Sequence, residues 1–61
     1  MFIELMLDNG NRIIIKVEDI EKVEENNKRA DYKAKVITKQ CHYYTRTSYE
    51  TIKDMINKCT Q

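Results

Sequence analysis

Cys41 and His42 are the residues whose types most suggest catalysis, because a thiol beside an imidazole can become an activated nucleophile. That chemistry needs the two side chains in contact and the base oriented by a third group. The stretch that carries them alternates as a strand does, and neighbouring strand residues point to opposite faces. Cys41 and His42 therefore cannot readily serve each other. Cys41 and Cys59 could instead both turn toward the core, as inert buried thiols or as one disulfide. One histidine and two distant cysteines lack the spacing of a zinc site. Glu18, Asp19, Glu21, Glu24 and Glu25 form a dense acidic stretch, yet they lack the ligand order and central glycine of a calcium loop. The single glycine, Gly10, is needed for a turn, which excludes phosphate loops and dinucleotide fingerprints. The expectation is a non-enzymatic protein with no cofactor and no metal.

The elements that must position any functional surface begin at Asn9-Gly10. This dipeptide tolerates positive φ and lies between two alternating apolar runs, residues 2–7 and 12–17, so it predicts an antiparallel hairpin. A two-residue loop would pair Leu5 with Ile14 and mix charged and aliphatic groups on both faces. A three-residue loop, Asp8-Asn9-Gly10 with Gly10 left-handed, pairs Leu5 with Ile13 and Ile3 with Ile15. It gathers Ile3, Leu5, Ile13, Ile15 and Val17 on one face, and is preferred for that reason. A third strand is expected near residues 20–24. A second hairpin follows over about 32–38 and 42–47, turning at Lys39-Gln40. Its inner face would hold Tyr32, Ala34, Val36, Cys41, Tyr43 and Thr45. Tyr49, Ile52, Ile56 and Cys59, with Met55 beside them, form the apolar stripe of a helix over 49–59. Thr47 and Glu50 have capping-box spacing, with Ser48 as the other candidate cap. The fold class is α+β: a small antiparallel sheet of two hairpins plus a short strand, or a curled half-barrel, with one C-terminal helix.

The face opposite the core should be polar and is not. On the first hairpin it holds Phe2, Met6 and Ile14 among Glu4, Arg12 and Lys16, and the second hairpin adds Ile37 and Tyr44. A contiguous exposed apolar patch on a small protein usually marks an interface. Phe2, Met6, Ile14, Ile37 and Tyr44 are the expected contact centre, with Arg12, Lys35 and Arg46 around it. The alternative is that the sheet curls and these residues form a second small core. A second copy of the chain is the simplest partner, giving a homo-oligomer. A host protein bound by a phage-type inhibitor is another. Lys33, Lys35, His42, Tyr44 and Arg46 also mix bases with an aromatic, as nucleic-acid-binding sheets do. Residues 1–27 carry seven acids and three bases, and 28–61 carry eight bases and three acids, including Lys28 and Arg29. The formal net charge of +1 and the acidic first half rank nucleic acid below protein as a partner.

With 61 residues the chain forms one domain, 1–61, in which about 60% of the unfolded surface is buried. Such a domain gains from a staple or a partner. The chain starts directly at a strand, so no signal peptide is expected, and no apolar run approaches a membrane span. The cytoplasm is the default location.

The run Ile3-x-Leu5-x-Leu7-Asp8-Asn9-Gly10-x-x-Ile13-x-Ile15, then Val17-Glu18-Asp19-Ile20-x-x-Val23-Glu24, resembles the small FlbD-like and SwrD-like flagellar accessory proteins. Short phage and mobile-element proteins share a similar layout. Tyr43-Tyr44-Thr45-Arg46-Thr47-Ser48, followed by Glu50-Thr51-Ile52, is similar to the family's aromatic strand running into a serine-capped helix. Lys39-Gln40 stands where the family's second hairpin usually has its own Asn-Gly, and the loop 25–33 looks longer and more charged. The resemblance spans nearly the whole chain. It implies a non-catalytic accessory protein and carries over no catalytic residue.

Overall fold

Gly10 closes the first hairpin with a φ of 90°, the left-handed conformation that glycine adopts without strain. The computed structural model describes residues 1–27 and 31–59. The Leu7 N–H donates to the Asn11 carbonyl at 2.7 Å and the Gly10 N–H to the Leu7 carbonyl at 3.0 Å, so the loop is Asp8-Asn9-Gly10. Asn9 adds a local bond, its Oδ1 accepting from the Asn11 N–H at 2.9 Å. The loop sets the register of β1 (Phe2–Met6) and β2 (Arg12–Lys16): Ile3 faces Ile15 and Leu5 faces Ile13. A 3-10 turn, Val17–Asp19, leads into β3 (Ile20–Glu25). β3 pairs with β4 (Ala34–Thr38), with a bulge between Ile20 and Lys22, and β4 pairs with β5 (His42–Thr45). The second hairpin has Val36 opposite Tyr43 and Ala34 opposite Thr45, the register expected from a turn at Lys39-Gln40.

Among the described residues the strands make two antiparallel sheets, β1-β2 and β3-β4-β5, and no closed barrel. A corner joins them. Leu7 bridges Thr45, the Asp8 N–H donates to the Tyr44 carbonyl at 2.9 Å, and the Arg46 N–H donates to the Met6 carbonyl at 2.7 Å. Thr45 is fully buried at this corner. Its hydroxyl lies 3.1 Å from the Ala34 carbonyl and 3.0 Å from the Thr47 carbonyl, and its one proton is shared between them.

α1 (Tyr49–Cys59) lies against β1 and β3. Its Ile52 is fully buried with Leu5 and Val36, and Tyr49, Met55, Ile56 and Cys59 pack around that core. Eleven residues are too few for a stable isolated helix, so this burial is what holds it. Ser48 is the cap. Its Oγ accepts from the Thr51 N–H at 3.2 Å, and the Ile52 N–H donates to its carbonyl at 3.0 Å. The Thr47–Glu50 capping box does not form, because Thr47 Oγ1 accepts from the Met6 N–H of β1 at 3.1 Å.

Two inner-face expectations need correction. Cys41 is exposed, because it ends the turn after β4: its carbonyl accepts from the Thr38 N–H and hydroxyl, at 2.9 and 2.8 Å. Tyr32 precedes β4, where the chain bends, and its ring meets Tyr44 on the outer face. Strand alternation does not extend through a bend. The expected basic residues Lys28 and Arg29 lie outside the described residues.

Candidate protein-binding face

Strand pairing places the outward side chains in rows. In one row Arg12, Met6 and Arg46 lie side by side, since Met6 pairs with Arg12 and sits across the corner from Arg46. Toward the open end of the first hairpin, Ile14 lies opposite Glu4 and Phe2 opposite Lys16. In the other direction come Tyr44 opposite Lys35, then Ile37 opposite His42. Phe2, Met6, Arg12 and Ile14 are thus gathered on two adjacent strands, and Arg46 and Tyr44 continue the face across the corner. Ile37 lies at the far end from Phe2 and Ile14 and is half-buried. Phe2 is 63% exposed and Ile14 67%, so they form no second core; Met6 and Tyr44 are each 41% exposed.

The charges on this face differ between its halves. On the first hairpin Arg12 reaches Glu4 at 3.9 Å, a long contact between exposed groups. On the second sheet Lys22 Nζ lies 3.0 Å from Glu24 Oε2. The Lys22 hydrogen bond and then its charge hold the Glu24 carboxyl below its ordinary pKa, with Lys35 and His42 adding to the effect. Lys35 Nζ stands 5.6 Å from the Tyr44 ring centroid, and Tyr32 packs edge-on to that ring at 4.9 Å. The Tyr44 ring thus has Tyr32 at its edge and Lys35 near its face while staying 41% exposed.

Candidate nucleophiles do not converge. His42 is exposed on the outer face, and Cys41 sits in the turn. The Cys41 side chain nearby, and then burial, push the Tyr43 phenol above its ordinary pKa. Cys59 is half-buried at the helix end, and both thiols are free. Among the described residues no helix is long and apolar enough to cross a membrane.

Sequence reasoning missed one feature. A groove of about 300 Å³ runs beside β2, between that strand and the β4–β5 turn. Buried Ile15, half-buried Tyr43 and exposed Phe2 and Ile14 line it, together with the charged Lys16, Asp19 and Lys39. These residues are scattered in sequence, and only the folding of the two hairpins toward each other brings them together. No family model, curated protein or solved structure matches the chain.

Proposed function

We propose that this chain is a non-catalytic protein-interaction module that self-associates through the outer face of its first hairpin. The observation that carries this reading is the exposure of Phe2, Met6 and Ile14 on adjacent strands, bordered by Glu4, Arg12, Lys16 and Arg46. Ile14 lies diagonal to both Phe2 and Met6, so the three apolar side chains adjoin, with Glu4, Arg12 and Lys16 interleaved among them, and an exposed apolar patch in a charged setting is a candidate docking surface. The charges are also self-complementary. In a two-fold arrangement Glu4 of each copy can meet Arg12 of the other, as an isologous interface requires. The resemblance to FlbD-like, SwrD-like and short phage proteins agrees with an accessory role in a bacterial or phage setting, inside the cell.

Sedimentation velocity tests the reading. The chain should run as a dimer or larger, and Ile14→Asp should return it to monomer. Ile14 is exposed, so this change should leave the fold intact by circular dichroism. A monomer in both forms would overturn self-association.

A further inference from the structure

The outward edge of β2 has unpaired main-chain groups beside an open groove. In the first hairpin the Leu7 N–H bonds to Asn11 and the Val17 N–H to Met1. Alternate pairs of an antiparallel ladder exchange hydrogen bonds, so Ile13 and Ile15 also turn their N–H and C=O toward β1. The groups of Arg12 and Ile14 and the N–H of Lys16 point the other way, where no described strand pairs with β2, while the Lys16 carbonyl caps the 3-10 turn that follows. β2 has no bulge in its register with β1 and no proline. The opposite edge, β3, begins with a bulge and carries the Lys22–Glu24 ion pair, two devices that blunt strand addition.

We infer that the β2 edge accepts an extended acidic peptide as an added antiparallel strand. The proposal goes beyond the self-association reading above, since it uses the strand edge of the same hairpin rather than its outer face. In the register that bonds both main-chain groups of Ile14, the peptide residue opposite Ile14 lies on the outer face. The residues two positions to either side fall opposite Arg12 and Lys16. An aliphatic residue flanked by two carboxylates matches that row, because opposite charges across strands attract. Arg12 retains donors for a second carboxylate beyond its 3.9 Å contact with Glu4. The intervening peptide side chains would enter the groove over Ile15 and Tyr43, where Lys16 and Lys39 outnumber the one carboxylate, Asp19. Self-pairing of two β2 edges is disfavoured, since a two-fold axis at Ile14 sets Arg12 of one copy against Lys16 of the other, twice.

The probe is a fluorescent seven-residue peptide with isoleucine at its centre, glutamate two positions to either side and threonine elsewhere. Anisotropy should show saturable binding to the full chain. A peptide with lysine for glutamate should bind at least about tenfold more weakly. A chain made by chemical synthesis with an N-methyl group on Ile14 keeps the side chain but loses the outward donor, and it should lose about tenfold in affinity or more. Arg12→Glu with Lys16→Glu should invert the preference toward the lysine peptide. Binding indifferent to N-methylation, or to peptide charge, overturns the proposal. Sedimentation of the N-methylated chain separates the two readings. If it still dimerises while losing the peptide, both stand. If it becomes monomeric and the wild-type chain ignores the peptide, the second copy occupies this edge and the acidic-peptide proposal fails.

Discussion

Gly10 shows how much one residue type decides. Its φ of 90° is disfavoured for any residue with a Cβ, whereas the space around it is open: an added Cβ would come no nearer than 4.0 Å to Arg46. Gly10→Ala should therefore destabilise the fold by about 1–2 kcal/mol through backbone strain rather than a clash. Urea unfolding monitored by circular dichroism would measure this as a lower midpoint at unchanged slope. Both the turn and its glycine were legible in the sequence. The environment of the reactive residues was legible only in part. Adjacent strand positions kept Cys41 and His42 apart as expected, but the turn hydrogen bonds of Thr38 drew Cys41 out to solvent. Those bonds compete locally with strand pairing, and alternation does not reveal them.

The elements followed from periodicity where one face is buried. The helix spans Tyr49–Cys59 and buries the stripe expected of it, and both hairpins have the expected pairing. Its cap was the ambiguous point, because Thr47 and Ser48 are both good caps by type. The competition was decided by β1, whose Met6 N–H claims the Thr47 hydroxyl. Ser48→Ala should cost about 1 kcal/mol of stability, whereas Glu50→Ala, with no capping box to break, should change it by less than about 0.5 kcal/mol. Paired thermal melts of the two variants would check the difference, and equal losses would contradict the assignment of Ser48. β4 and β5 are shorter than expected because strand propensity continues where the ladder stops. Tyr32 lies in the bend before β4, and Arg46 and Thr47 pair with β1 instead.

At the scale of the whole molecule, two incomplete sheets and one short helix share a small core. Leu5, Val36 and Ile52 have essentially no exposure, while Phe2 and Ile14 remain open to solvent. A domain this small has little stability in reserve, so a partner that covers the open face adds directly to it. If the chain self-associates, its thermal midpoint should rise with protein concentration, and the rise should vanish in Ile14→Asp. Differential scanning calorimetry over a hundredfold concentration range would show it, and a constant midpoint would count against the dimer. Sequence alone determined the two hairpins, the inward face of the first, the helix and the surplus of apolar residues on the reverse side. Those depend on the two-residue period of a strand, the turn chemistry of Asn9-Gly10 and the helical stripe, all of which are local. Tertiary structure decided the corner at Leu7 and Thr45, the free edge of β2 and the groove beside it, and the separation of Ile37 from Ile14. These depend on which strands meet across long stretches of chain, and no local period encodes that choice.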